Sequence, residues 1–264
     1  MKISKEGFDR FFEGVELRDV ALPSTGEVFQ MPLLGEKAVQ MAAIFTASRP
    51  KVLDILPIGD FVPVLLPKER TLVAAVGIEY QKRNIPPYNE VLFVVPTFIG
   101  KDISPPTLED MLKPDLGGAT LFIRHIAVDT RMAMLLGNEL LGYAKFIGDI
   151  TFQDEPDGTR TCTLKDAGEE IFSFSVKPEA SEFEYHRETM AVATYKNDKI
   201  YRLSYRTQSR RGVDMPPRGT IEFGPHPLGR ILAGLDVSAQ PIMILYSREF
   251  QLISDDRNLE VIEP

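Results

Sequence analysis

The sequence predicts an α+β fold built mainly from antiparallel β-strands. Short segments rich in β-branched and aromatic residues follow one another along the chain, and turn pairs such as Asp157-Gly158 and Asn197-Asp198 separate some of them. Helical patterns are sparse, which argues against the repeated strand-helix-strand units of a parallel sheet. Neither an internal repeat nor a long linker interrupts the 264 residues, so we expect one domain over residues 1–264.

The first predicted element is a short amphipathic helix. Phe8, Phe11, Phe12 and Val15 recur at helical spacing, and Ser4 precedes them as a plausible N-cap. The opposite face carries mixed charges, so the apolar stripe should be covered by the core or by another subunit rather than by a membrane.

A series of short strands follows this helix. Asn197-Asp198, within residues 195–200, predicts the clearest hairpin. The predicted strands are Val39–Phe45, Val62–Leu66, Leu72–Ile78, Val91–Phe98, Thr120–Val128, Arg160–Leu164, Ile171–Val176, Met190–Tyr195, Lys199–Tyr205, Thr220–Phe223 and Ile242–Tyr246.

Helices are predicted at three further places. Pro50–Leu56 ends before a proline, and Pro225–Leu232 gives one or two helical turns. The better candidate is Thr130–Leu136, with Asp129 as the N-cap and Gly137 as the residue that ends the helix.

Composition excludes several classes of function. The net charge of −8 arises from interspersed acidic and basic residues, so we expect no nucleic-acid partner. No apolar run reaches the ~18 residues of a membrane helix, and the N-terminus lacks a signal peptide. The single cysteine, Cys162, has no partner for a disulfide or a metal site. We therefore expect a soluble cytoplasmic protein with no membrane partner.

The usual signatures of metal and nucleotide chemistry are missing. The three histidines, His125, His186 and His226, are isolated, and neither a Gly-x-Ser-x-Gly nor a Gly-x-Gly-x-x-Gly motif occurs. The sequence therefore predicts no metal and no cofactor.

Two segments carry a resemblance to a known family. The run Gly137-Asn138-Glu139-Leu140-Leu141-Gly142-Tyr143-Ala144-Lys145-Phe146 resembles the Gly-Arg-Glu-x-x-Gly-Tyr-Pro-Lys-Lys segment of the acetoacetate decarboxylase family, in which the first lysine forms an imine with the substrate. Lys145 matches that lysine. Upstream, Pro87-Tyr88-Asn89-Glu90 resembles the family's Tyr-x-Glu, so Glu90 takes the role of the active-site glutamate. The resemblance covers residues 38–260 and leaves residues 1–35 as an N-terminal extension.

The resemblance implies sheets that form a cone or partial barrel around an apolar cavity. It also implies a homo-oligomeric lyase that decarboxylates a small, acetoacetate-like β-keto acid through a Schiff base on Lys145. The chemistry agrees, because a lysine amine is nucleophilic only when neutral and a dry pocket disfavours the ammonium form. Glu90 would then shuttle protons, although a glutamate after a proline turn is often a solvated loop residue.

Other residues would complete the site. On a strand Tyr143 and Lys145 would share one face, so we expect Tyr143 to contact the substrate. Glu139 also matches the family motif and is expected to support the helix-to-strand turn.

The family's N-terminal arginine, which is assigned to the substrate carboxylate, has no counterpart between Gln30 and Phe45, where only Lys37 lies nearby. Arg124 with His125, on the strand before the nucleophile's helix, could bind the carboxylate instead. A surface salt bridge of Arg124 is the alternative.

Two departures from the motif keep other functions open. Phe146 replaces the family's second lysine, so cationic assistance to Lys145 is lost, and Ala144 replaces a proline. A same-fold aldolase, dehydratase or hydratase that uses the imine on pyruvate or another keto acid is the first alternative. A non-catalytic protein that binds small molecules is the second.

Overall fold

The computed structural model describes residues 1–101, 103–111, 117–179, 183–214 and 217–263. Within these ranges strands predominate and helices are short, which confirms the predicted fold class. No helix of the described ranges is long and apolar enough to cross a membrane. The strands are β1 (Arg18–Ala21), β2 (Val28–Met31), β3 (Leu33–Ser48), β4 (Phe61–Pro63), β5 (Arg70–Arg83), β6 (Tyr88–Ile99), β7 (Thr120–Val128), β8 (Phe146–Ile147), β9 (Asp149–Asp154), β10 (Arg160–Asp166), β11 (Glu169–Val176), β12 (Glu184–Lys196), β13 (Lys199–Asp214), β14 (Gly219–Phe223), β15 (Met243–Ser254) and β16 (Leu259–Ile262). The α-helices are α1 (Lys5–Asp9), α2 (Arg49–Leu53), α3 (Leu108–Met111), α4 (Arg131–Leu140) and α5 (Pro227–Ala233).

Seven strands close into a barrel, in the order β6, β5, β3, β15, β13, β12, β7 and back to β6. Neighbouring strands are antiparallel except β7 and β12, which run parallel. Strands β4 and β8 extend the sheet at β6 and β7, and β16 pairs with β13. The expected cone or partial barrel is therefore a closed barrel with extra strands.

A second sheet, in the order β14, β11, β10, β9, packs on the outer face of the barrel. Phe93 of the barrel meets Phe172 and Phe174 of this sheet in a buried apolar layer. At Gly77 the sheets approach so closely that a β-carbon would lie 2.9 Å from the Phe152 ring. Most of the outer face of β5, β6 and β7 is therefore part of the apolar core.

One end of the barrel is covered by α4 and by the N-terminal hairpin of β1 and β2. Leu22 and Met31 of the hairpin, with Ala133 and Leu136 of α4, belong to the apolar cluster that fills the barrel interior. The N-terminal extension therefore contributes to the core around this end of the barrel.

The N-terminal apolar stripe is only partly buried within the chain: Phe8 and Phe11 are buried, whereas Phe12 and Val15 are half-buried. Ser4 caps α1, as predicted. The ring of Phe8 lies 4.9 Å from that of Tyr185 in β12, and the Arg187 guanidinium lies 5.2 Å from the Phe11 ring. Core packing thus covers Phe8 and Phe11, and the expected homo-oligomer stays a prediction.

Two predicted boundaries of α4 are wrong. Thr130, rather than Asp129, is the N-cap, and its hydroxyl accepts a first-turn hydrogen bond at 3.4 Å. The Asp129 carboxylate instead accepts a hydrogen bond from the Asn89 N–H at 2.9 Å. The helix also continues through Gly137 to Leu140, so this glycine does not end it.

Candidate active site

Strand β6 carries Glu90 into the barrel. Every second residue of the strand faces the same interior cavity, which is lined by Glu90, Leu92 and Val94. Ile78 of β5 and Val128 of β7 lie opposite Glu90 on the two neighbouring strands. The glutamate is consequently only 7% exposed, so the loop-residue alternative does not describe it.

The segment between α4 and β8 carries Lys145. Gly142 has a left-handed backbone, with φ of 73°, and reverses the chain just after the helix. The side chain of Asn138 accepts a hydrogen bond from the Lys145 N–H at 2.6 Å and donates one to the Lys145 carbonyl at 2.9 Å. These bonds give the lysine backbone the pairing that a strand would supply, although the strand begins only at Phe146.

Lys145 and Phe146 point to opposite faces, which confirms the predicted alternation. Lys145 lines the inner cavity together with Tyr143. Phe146 is half-buried and packs against the outer apolar layer, where Ala127 of β7 lies opposite it. No cation at residue 146 faces the lysine.

Lys145 and Glu90 form a buried ion pair. The Lys145 Nζ lies 2.5 Å from Glu90 Oε2, and the two side chains are 5% and 9% exposed. The centres of the Tyr143 and Tyr88 rings lie 5.1 Å and 5.6 Å from the same Nζ. Glu90 is therefore in position to exchange a proton with the lysine nitrogen in a site with little water.

The ion pair lies where two cavities of about 80 Å³ and about 30 Å³ adjoin. Tyr80, Glu90 and Tyr143 line both cavities, and Lys145 lines the smaller one beneath α4. Aliphatic side chains from the barrel strands form most of the larger cavity's wall. Within the described ranges, no three His, Cys, Asp or Glu side chains come close enough together to hold a metal ion.

Two cavity tyrosines are held in the protonated form. Burial raises the pKa of Tyr80 and of Tyr143 well above the ordinary value, and the negative charge of Glu90 adds to the effect at both residues. Each phenol therefore remains a neutral hydroxyl that can donate a hydrogen bond to a bound oxygen atom.

Arg83 is a charged cavity residue that the sequence analysis missed. It lies at the end of β5 and lines the smaller cavity with Lys145. In the sequence it follows Gln81 and Lys82, both exposed, and the whole run is typical of a solvated hairpin end. Lys37, the only cation that the sequence offered near the missing arginine, is exposed on β3.

Arg124 and His125 do not line either cavity, which corrects the prediction that they bind the substrate carboxylate. A β-bulge in β7 leaves Arg124 without a partner on β6, so Ile123 and Ile126 both face inward and the two residues between them do not. His125 is opposite Phe93, on the side of the outer sheet. Burial first, then the charges of Arg124 and His226, lower the pKa of His125 to about 3.

Glu139 supports a different element from the one predicted. Its carboxylate accepts hydrogen bonds from the Ser24 N–H at 2.9 Å and from the Ser24 hydroxyl at 2.5 Å. These bonds lower the pKa of Glu139. The residue therefore ties the N-terminal hairpin to α4 instead of bracing its own helix-to-strand turn.

Comparison with known proteins agrees with this architecture. Residues 32–227 match the acetoacetate decarboxylase (ADC) family. A solved acetoacetate decarboxylase is 12% identical, with a TM-score of 0.61 over 99% of this chain and 98% of that one. The acetoacetate decarboxylase of Legionella pneumophila is 13% identical, with a TM-score of 0.55 over 98% and 96% of the two chains.

A third similar structure is that of the enduracididine biosynthesis enzyme MppR, complexed with the condensation product of pyruvate and imidazole 4-carboxaldehyde. It is 14% identical, with a TM-score of 0.57 over 95% of this chain and 98% of that one. At these identities the similarity shows a shared fold. No curated protein matches the sequence significantly.

Proposed function

Because this chain belongs to the acetoacetate decarboxylase family, we propose that it is a lyase that decarboxylates a small β-keto acid through a Schiff base on Lys145. One observation carries the proposal: the Lys145 amine lies 2.5 Å from the carboxylate of Glu90, and both side chains are almost fully buried between the two adjoining cavities. A lysine in such surroundings can lose its proton to the neighbouring carboxylate and attack a carbonyl carbon.

The proposed reaction uses side chains of this chain and water. The neutral Lys145 amine adds to the ketone, and the carbinolamine loses water to give a protonated imine. The bond to the carboxylate carbon then breaks, CO2 leaves, and its electron pair moves to the imine nitrogen to form an enamine. A proton is added to the enamine carbon, and water hydrolyses the imine to release the ketone and the amine.

Glu90 is the proposed proton carrier in this sequence. It accepts the lysine proton before attack, and it can protonate the hydroxyl that leaves the carbinolamine as water. Tyr143, whose ring lies 5.1 Å from the lysine nitrogen, is proposed to exclude water and to hydrogen-bond the substrate.

A second candidate is condensation chemistry on pyruvate or a similar keto acid. The same imine can form an enamine by losing an α-proton, and that enamine can attack an aldehyde. This candidate is supported by the structural similarity to MppR, which was complexed with the condensation product of pyruvate and an aldehyde.

Product analysis separates the candidates. The protein is incubated with acetoacetate, and with pyruvate plus an aldehyde, and CO2 and organic products are quantified, with Lys145→Arg as the inactive control. Acetone and CO2 from acetoacetate are expected. A condensation product without CO2 would replace the decarboxylase by the second candidate, and no product from either mixture would favour a non-catalytic binding protein.

A further inference from the structure

We propose that Arg83 binds the substrate carboxylate and thereby makes the cavity selective for keto acids over neutral ketones of the same shape. The inference deepens the proposed function and rests on it for the reaction at Lys145. Arg83 belongs to β5, outside residues 30–45, which correspond to the segment of the family's carboxylate-binding arginine.

The guanidinium of Arg83 is held in a fixed orientation. Its Nη1 donates a hydrogen bond to the Tyr88 hydroxyl. Its Cζ lies 4.1 Å from the centre of the Tyr80 ring and 5.0 Å from that of Tyr88. Burial opposes the positive charge of Arg83, but the negative charge of Glu90 favours it, and a guanidinium stays protonated at usable pH. The cation is therefore charged and ordered before any ligand arrives.

Much of the hydrogen-bonding capacity of Arg83 is unused. The Tyr88 hydroxyl is its one side-chain acceptor in the described part of the chain, and its Nε is buried without a partner there. A guanidinium presents its N–H groups as a planar fork that matches the two oxygens of a carboxylate. Buried donors are rarely left unpaired, so a bound carboxylate would satisfy a group that the protein alone does not.

The charge balance of the cavity points to the same ligand. Lys145 and Glu90 neutralise each other at 2.5 Å, and the cavity tyrosines are neutral. Arg83 has no acidic partner within ion-pair distance among the described residues. The site thus carries one positive charge in excess, which complements a substrate with a single negative charge.

The ring of Tyr88 lies close to both Arg83, the proposed carboxylate-binding residue, and Lys145, the proposed imine-forming residue. Arg83 Cζ lies 5.0 Å and Lys145 Nζ 5.6 Å from its centre, and both residues line the smaller cavity. We infer that a carboxylate at Arg83 leaves the carbonyl carbon on the side of Lys145 in this cavity. The aliphatic wall at Leu92 and Ile123, in the adjoining cavity, is then available to the alkyl group. The substrate class is therefore a monoanionic keto acid with an apolar far end.

If Arg83 binds the substrate carboxylate, its loss should weaken substrate binding rather than slow the chemical step. The negative charge leaves the carboxylate as CO2 forms, so Arg83 stabilises the bound substrate more than the transition state. Arg83→Met should therefore raise KM or the half-saturating concentration without lowering the maximal rate.

The test compares two ligands that differ only in charge. Imine formation at Lys145 is measured by borohydride trapping with acetoacetate and with its neutral isostere acetoacetamide. Arg83→Met is expected to raise the half-saturating concentration of acetoacetate by about 10-fold to 100-fold, the usual worth of a charged hydrogen bond, and to leave that of acetoacetamide unchanged. Lys82→Met, at the exposed neighbouring residue, is the matched control and should change neither.

Equal loss of both ligands, or no loss of either, would overturn the proposal. If Arg83→Met does not fold, or if the parent protein traps neither ligand, thermal shifts of the parent protein decide instead. Butyrate should raise its Tm more than butyramide does at matched ionic strength, and equal shifts would overturn the role of Arg83. The absence of any imine in the parent counts against the proposed function alone, because the thermal shift needs no imine.

Discussion

The side chain of Lys145 runs directly alongside Gly137 in α4. A β-carbon at residue 137 would lie 2.6 Å from both Cδ and Cε of the lysine, which is closer than such atoms approach in proteins. Because glycine has no β-carbon, residue 137 leaves the space through which the lysine side chain reaches the cavity and Glu90.

Gly137→Ala should displace the lysine without unfolding the chain. Alanine favours a helix by about 0.5–1 kcal/mol over glycine, so Tm should change little. The lysine side chain must move aside, and a shift of this order can lower reactivity by about 10²-fold. The rate of borohydride-trapped imine formation measures the effect. Gly59→Ala, where nothing lies within 4 Å of the added β-carbon, is the control. An unchanged rate in Gly137→Ala would contradict the packing argument.

Glu90→Gln should separate imine formation from turnover. The variant keeps the shape of the side chain but cannot accept a proton, so turnover should fall by about 10²–10⁴-fold while the imine remains detectable. The measurement pairs steady-state kinetics with mass spectrometry of the trapped protein. Glu249→Gln serves as the control, because the Glu249 side chain is exposed and lines neither cavity. If Glu90→Gln turns over at the parent rate, Glu90 is not the proton carrier.

Phe146→Lys should not improve the enzyme. Phe146 packs against the outer apolar layer, so a lysine there cannot assist Lys145 and places a charge against apolar side chains. Because Phe146 is only half-buried, we expect a loss of about 1–3 kcal/mol in the free energy of unfolding. Denaturant melts and turnover are measured for Phe146→Lys and for Phe146→Leu, which keeps an apolar group. Faster turnover at unchanged stability would show that residue 146 faces the cavity.

His125 should make the fold sensitive to acid. Its pKa is lowered from 6.5 to about 3, with burial as the main cause, so between these values the unfolded chain binds a proton that the folded chain does not. The folded state therefore loses stability as the pH falls through this window, by up to about 1.4 kcal/mol per pH unit for one group. His125→Gln should reduce the slope of unfolding free energy against pH below 6.5 and leave it unaltered above pH 7.5. Parallel curves for parent and variant would rule out this contribution.

The family motif singled out two residues that the fold brings into contact. Lys145 and Glu90 are 55 residues apart in the chain, yet the motif resemblance anticipated the pair that barrel closure brings to 2.5 Å. The alternation that placed Phe146 behind the sheet is local geometry, which a sequence pattern can indicate.

The predictions that failed concern residues whose surroundings are set by the tertiary structure. The bulge at Arg124 shifts the alternation of β7 by one residue, and no residue type there signals it. Arg83 resembles any exposed cation at a hairpin end, and only its packing on Tyr80 shows otherwise. Gly137 has the position of a helix-ending glycine, but its small size is required by the passage of Lys145.

The proposed function requires Lys145 as the imine-forming residue, and peptide mapping tests this role directly. The protein is incubated with acetoacetate, reduced with borohydride, digested and analysed by mass spectrometry, alongside Lys145→Arg and Lys196→Arg. Lys196 is the matched control because it lies nearby, where its Nζ donates to the Asn138 carbonyl at 2.9 Å. Arginine stays protonated at usable pH, so it cannot form the imine. We predict a single adduct on the Lys145 peptide in the parent and in Lys196→Arg, and none in Lys145→Arg. An adduct that persists in Lys145→Arg, or that maps to another lysine, would contradict the account.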